Sequence, residues 1–374
     1  MTSRERVQMI LEHKKPDRVA VDLGSTASGF TNPTMERVKE YFGITGGDIV
    51  FRPDESAAIY NDEVLEKIGS DFRHVFLMPP EELATGFRGT DTAVNEWGMQ
   101  KTMKAGLSQN SSNPLENADS IEDLKKYPWP DPYAAGRDRG IRERIEHLYH
   151  HTDYALAARA VSHGFFELAW ELRGMENFLV DMMSEKKFAN YLLDQILDIQ
   201  MGLYDVLLKD AGKYVQMVET ADDYGTQNGP LMSPELFREM IQPRRKKLNE
   251  FIKSKAPQAK IFHHTCGSVY QLIPDLIETG IDVLNPIQHS AAEMDTYRLQ
   301  EKFGDQLIFH GAIDEQTALI YGPDVLRREM EERVRSLGKD GGYIMAPTSN
   351  FQDDMPLENI VNFAAMGKEI GVYK

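Results

Sequence analysis

Lys260-Ile261-Phe262-His263-His264-Thr265-Cys266-Gly267-Ser268 leads into Leu272, Ile273, Leu276 and Ile277, then Gly280, before a second apolar run from Val283 to Gln288. The first run is short and bounded, as a buried strand is. The apolar residues after it recur at three- and four-residue spacing, the period of an amphipathic helix. Ser268 with Gln271 has the pattern of a capping box, and Gly280 stands where a helix end tolerates positive φ. Strand, helix and strand in this order form the unit of a parallel sheet.

The same alternation runs outward in both directions. Strands are expected at Arg18 to Leu23, Tyr154 to Val161, Tyr214 to Thr220, Leu307 to Ile313 and Tyr343 to Thr348. Helices are expected around 186–210, 233–254, 295–303, 323–337 and 356–370; Ser233-Pro234-Glu235 supplies an N-cap and a proline at the first helical position. Seven or eight such units favour a closed (β/α)8 TIM-type barrel, with an N-terminal helical extension, over a doubly wound sheet. No Gly-rich phosphate loop follows the first strand, which counts against the latter. Gly, Ser, Asn and Pro cluster at about 85–135, around a hairpin-like stretch near Trp97 to Met103, and read as an insertion or lid on one domain spanning 1–374.

Composition narrows the function classes. The 374 residues carry a formal net charge of −17, which repels phosphate backbones, so nucleic acid is not an expected partner. No stretch reaches the roughly 20 unbroken apolar residues of a membrane-spanning helix. The charged start, Met1 to Arg6, lacks the basic-then-apolar pattern of a secretory signal, and the expected location is the cytoplasm. Cys266 is the one cysteine, so no internal disulfide forms.

That cysteine belongs to the most informative pattern. On a strand, alternation puts His264 and Cys266 on one face with side chains about 7 Å apart, close enough to hold one metal ion. A thiolate and an imidazole are ligands that zinc selects. Cys266 precedes the Ser268 cap, and the positive end of the helix is expected to lower its pKa. His263 points the other way, as a structural histidine. At the ends of other strands lie Glu219, Asp222-Asp223-Tyr224, His163, Gln288, His310, Asp314 and Ser349-Asn350, where a barrel carries its active site. Phe30, Trp97, Phe165, Phe166, Tyr224 and Phe351 are candidates for an apolar pocket at that mouth.

Several segments resemble the uroporphyrinogen decarboxylase superfamily: Thr2 to Arg6 with Pro16-Asp17-Arg18-Val19, Gly229 to Glu235, His264 to Ser268, Leu284 to Gln288 and Gly341 to Pro347. The decarboxylases themselves carry an Arg-Gln-Ala-Gly-Arg segment after the first strand to hold the substrate carboxylates. Here that place reads Asp22 to Gly29 and contains no arginine. The chain is more similar to the corrinoid-dependent methyltransferase branch, in which a His-x-Cys pair binds zinc, and the resemblance maps that pair onto His264 and Cys266. Relatives acting on a thiol add a second cysteine late in the chain; this chain has none. The third ligand then falls to Glu219, the first choice, or to Asp222 or Asp223, His310 or water.

The resemblance thus implies zinc-assisted transfer of a methyl group from a small donor, such as an aryl methyl ether, to the Co(I) corrinoid of a separate partner protein. A zinc with fewer thiolates is a harder Lewis acid, which suits demethylation. Asp223, Tyr224 or His310 is expected to stabilise or protonate the leaving group, with Phe30, His163, Phe166, Gln288 and Asn350 around the substrate. The chain lacks the Asp-x-His-x-x-Gly cobalamin motif, so the corrinoid arrives on a corrinoid-binding partner. A metal-independent decarboxylase and a non-catalytic binding barrel are the alternatives.

Overall fold

The computed structural model describes residues 1–83, 91–104 and 107–373. Eight strands form one parallel sheet: β1 Ala20–Val21, β2 Phe72–Val75, β3 Ala155–Ala158, β4 Met217–Ala221, β5 Lys260–His264, β6 Val283–Asn285, β7 Ile308–Ile313 and β8 Tyr343–Pro347. From β2 to β8 each strand pairs with its neighbours in sequence, and β8 pairs with β1. Between β1 and β2 the seam is closed by one backbone bond, Asp71 N to Val21 O at 2.8 Å, and by Val21 N donating to Asp71 Oδ2 at 2.9 Å. Helices cover the outside, and the fold is a (β/α)8 barrel. Among the described residues no helix is long and apolar enough to cross a membrane.

Of the eight barrel strands, β2 is the one that lies outside the expected apolar runs. Its four residues are Phe72-Arg73-His74-Val75, and two ionisable side chains hide the apolar signal. Alternation explains them: His74 joins Phe72 on the inner face, while Arg73 points outward to lie over the Tyr154 ring, 3.7 Å from its centroid. The expected capping box at Ser268 does not form. Helix begins with a 3-10 turn at Tyr270–Leu272, and Gln271 donates instead to Glu293.

Inside the barrel the side chains fall into layers. The lowest is apolar: Ala20, Phe72, Ala155, Ala157, Met217, Phe262, Val283, Ile308 and Ile344 pack against Val7, Ile10 and Leu11 of the helix Ser3–Leu11, which plugs the N-terminal end. Above it the inward positions turn polar, because two residues further along their strands stand Asp22, His74, Glu219, His264, Asn285 and His310. At the C-terminal end, a three-stranded antiparallel sheet of Thr92–Val94, Gln100–Lys104 and Leu107–Asn110 occupies part of the stretch read as an insertion. Its tight turn at Asn95–Gly98 uses Asn95 Oδ1 to accept from Trp97 N and Met99 N. Residues 84–90 and 105–106 of that stretch lie outside the described residues.

Candidate metal centre

The register between β4 and β5 decides which acid meets the His264–Cys266 pair. Glu219 stands beside Phe262, and Ala221 beside His264. Two residues beyond each strand end, the same alternation sets Asp223 beside Cys266. Asp223, His264 and Cys266 accordingly converge, with one ligand atom from each lying within 4.8 Å of the others. Cys266 Sγ is 3.5 Å from His264 Nε2, and Asp223 Oδ1 is 3.7 Å from the same nitrogen. Glu219, in register with Phe262, lies deeper in the barrel than Asp223 and faces other partners. Its Oε2 accepts from Thr26 N and Thr26 Oγ1, and its Oε1 lies 3.3 Å from His74 Nε2. The structure therefore does not bring Glu219 to the pair as a third ligand.

Two loops hold the group. Asp223 Oδ1 accepts from Cys266 N at 2.7 Å, which ties the loop after β4 to the loop after β5. The loops pack so closely that a Cβ on Gly225 would meet Cys266 O at 2.5 Å; Gly267, at φ +80°, faces it. Gln288 accepts from Gly267 N at 2.5 Å, so it braces this loop rather than facing a substrate.

A polar chain through the barrel orients His264. Asn285 Oδ1 can only accept, so the 2.6 Å contact assigns the proton to His264 Nδ1 and leaves Nε2 bare toward Cys266 and Asp223. Asn285 Nδ2 donates to His310 Nδ1 at 2.8 Å, and His310 Nε2 then donates to Asp22 at 2.9 Å. Such supporting partners fix ring orientation, and their loss weakens metal binding by about 10- to 100-fold. We expect that range for Asn285→Ala, measured by competition with a chromophoric zinc chelator.

Beside the group lies a cavity of about 250 Å³, whose wall includes Thr26, Arg52, Arg159, His163, Glu167, Asp223, His264 and Asn350. A smaller space of about 100 Å³, lined by Trp97 and Phe51, shares Arg52, Glu55, Ser162 and His163 with it. His163 and Asn350 thus lie on the cavity wall. Other expected residues are not. Phe30 and Phe351 stack on each other in the core, at 5.2 Å, and Phe166 packs against Phe178 and Tyr224. Phe165 is fully buried, under the Arg245 guanidinium. Tyr224 is fully buried and donates to Asp222, and His310 is fully buried in the chain just described, so neither reaches the cavity. The wall is polar, not the apolar bowl that aromatic residues suggested.

The sequence profile of the uroporphyrinogen decarboxylase (URO-D) family matches residues 91–370. The chain belongs to this family.

Two curated relatives of this family member are methylcobamide:CoM methyltransferases MtaA, from Methanosarcina barkeri and from its strain Fusaro, 25% and 24% identical over 209 residues. The match covers 53% of this chain and spans 57% of the length of those relatives. A solved structure, a methyltransferase from Methanosarcina mazei, superposes with a TM-score of 0.67 at 18% identity and covers 99% of both chains, a likeness of fold.

Within this URO-D family chain the site is electrostatically loaded. Burial, with the charges of Asp223, Glu167 and Glu315, pushes the Cys266 thiol well above its usual range, the opposite of the helix-end effect expected from sequence. The helix that was to lower it starts too late and too irregularly to do so. Burial pushes the Glu167 carboxyl up to about 8, with His163 opposing and Asp223 adding to the rise. Burial disfavours charge on His163, yet Glu171 and Glu167 prevail and hold it up to about 10; its Nδ1 is 3.1 Å from Glu171 Oε2. His263, fully buried, bonds Thr220 Oγ1 at 2.9 Å and packs at a tilt against the Tyr224 ring, a structural histidine as expected.

Proposed function

We propose that this chain is a zinc-assisted methyltransferase that passes a methyl group from a small donor to the Co(I) corrinoid of a separate partner protein. The observation that carries this reading is the meeting of one sulfur, one imidazole nitrogen and one carboxylate, of which the imidazole of His264 and the carboxylate of Asp223 line a cavity at the C-terminal end of the barrel. That donor set suits zinc, three protein ligands being the pattern of catalytic sites, which keep a fourth position for substrate. Asp223, His264 and Cys266 would hold the ion. Bound there, it would supply Lewis acidity toward the methyl-bearing heteroatom of the donor. The names of the curated relatives support a methyl group and a cobamide as the reactants.

The chain's own residues do the rest. Glu167 lines the cavity and retains a proton at neutral pH, so it is the group that protonates the departing heteroatom. It replaces Tyr224 and His310 in that role, since both are sealed in the core. Activity then requires protonated Glu167 and falls as pH rises through about 8. We expect Glu167→Gln to lower kcat by about 100-fold and to abolish this alkaline limb in a pH–rate profile; an unchanged limb removes Glu167 from the mechanism.

Zinc content of the wild type beside His264→Ala and Cys266→Ser tests the centre, and the spectroscopic change of cob(I)alamin on methylation tests the reaction, across methoxylated aromatics, methylamines and methanol. The expected result is one zinc per chain, lost in both variants together with methyl transfer. Full methyl transfer in Cys266→Ser would remove zinc from the mechanism, whereas no methyl transfer in the wild type and a decarboxylation that survives Cys266→Ser would favour a metal-independent decarboxylase.

A further inference from the structure

Two guanidinium groups reach the cavity, and neither has a carboxylate to pair with. Arg52 lies between the antiparallel strands Asp48–Val50 and Ile59–Asn61, and Arg159 is one residue beyond β3; both line the 250 Å³ space that holds His264 and Asp223. Among the described residues no Asp or Glu oxygen comes within 4.0 Å of either. Other buried cations of this chain are matched: Lys101 pairs with Glu55 at 3.0 Å, and Arg245 with Asp222 at 2.9 Å. The protein bonds of the unmatched pair go to backbone carbonyls, Arg159 Nη1 to Gly24 O at 3.0 Å and Arg52 Nη2 to Ala160 O. Arg159 is 4% exposed, and its Nε has no acceptor.

One ring holds them near each other. The guanidinium carbons of Arg159 and Arg52 lie 4.5 and 5.9 Å from the centroid of Phe51. Burial and then, beyond the opposing pull of Glu219, the like charge of Arg52 work against the charge on Arg159. The acids one layer down do not relieve it by contact: Glu219 is engaged by Thr26, and Asp22 by His310. A buried charge without a partner is costly, and costlier with a second one beside it. An anion entering the cavity removes that cost, and the planar fork of arginine matches the two oxygens of a carboxylate.

We propose that Arg52 and Arg159 form a carboxylate subsite, so that the substrate is a small carboxylic acid held with its methyl-bearing end toward Asp223, His264 and Cys266. The identity of the other end rests on the methyl-transfer reading; the subsite does not. The segment after β1, Asp22 to Gly29, contains no arginine. The structure supplies the pair from the turn before Ile59–Asn61 and from the residue after β3, where Arg159 continues the inward face of Ala155 and Ala157.

Calorimetric titration of the full chain with methoxyacetate and with its neutral amide, 2-methoxyacetamide, tests this without turnover. The expected result is at least about tenfold tighter binding of the acid, with Arg52→Gln bringing the two to parity at unchanged zinc content. Equal binding in the wild type, including no detectable binding of either, overturns the subsite, as does a preference for the acid that persists in Arg52→Gln. The wild-type comparison decides the matter even where an arginine variant fails to fold. Zinc content and cob(I)alamin methylation are read separately, so failure here and failure of the methyl-transfer reading give different results.

Discussion

Asp223→Asn is expected to lower zinc affinity by at least about 100-fold and to abolish methyl transfer while leaving the fold intact. The amide keeps an oxygen that accepts the Cys266 N–H, so the bond that ties the two loops survives. What disappears is the negative charge that would complete the set with His264 and Cys266. The thermal midpoint should stay within about 3 °C of wild type, the shift of roughly 1 kcal/mol in a chain of this class. Glu219→Gln is the control, because its carboxylate lies beside Phe262 rather than His264. Zinc retained in Asp223→Asn, or lost from His264 in Glu219→Gln, would reverse the assignment that the strand register dictates.

The neighbouring acid should behave in the opposite way. Asp222→Ala is expected to cost about 3–5 kcal/mol, seen as a large fall in the urea midpoint. Asp222 is fully buried and accepts from Phe166 N and Glu167 N at the start of the helix Phe165–Arg173, from Tyr224 Oη and from Arg245 Nη2. Removing it strands the Arg245 guanidinium, itself fully buried, and uncaps that helix. Burial pushes the Asp222 carboxyl up to about 6 despite Arg245, so the intact pair contributes little net stability. The penalty arises from breaking it. Gly164 records the same tight fit, since a Cβ there would fall 2.0 Å from Asp222 Cγ. If Asp222→Ala melted like wild type yet lost zinc, the roles of the two acids would have to be exchanged.

Sequence patterns carried much of the architecture. The strand–helix–strand reading from Lys260 to Gln288 matches β5, the following helix and β6, with each strand ending two or three residues early. These boundaries shift because the strand ends turn into loops that carry polar side chains, and hydrophobicity does not mark where pairing stops. β2 escaped notice because Arg73 and His74 are stabilised by partners far away in the chain, an aromatic ring on one face and buried acids on the other. The aromatic residues failed as pocket markers for a related reason. Phe30, Phe166 and Tyr224 fill the core, whereas the cavity wall is built from Arg52, Arg159, Glu167 and Asn350 out of four separate segments.

Along any one strand, the alternation of side chains follows from covalent geometry, and this sufficed to place His264 and Cys266 together and to turn His263 away. How far one strand slides against the next does not follow from it. That offset depends on packing among all eight strands and on the loops that join them, and it sets Asp223 rather than Glu219 against the imidazole. The same long-range packing brings Arg52 to Arg159 across more than a hundred residues of chain, an encounter that no local pattern encodes.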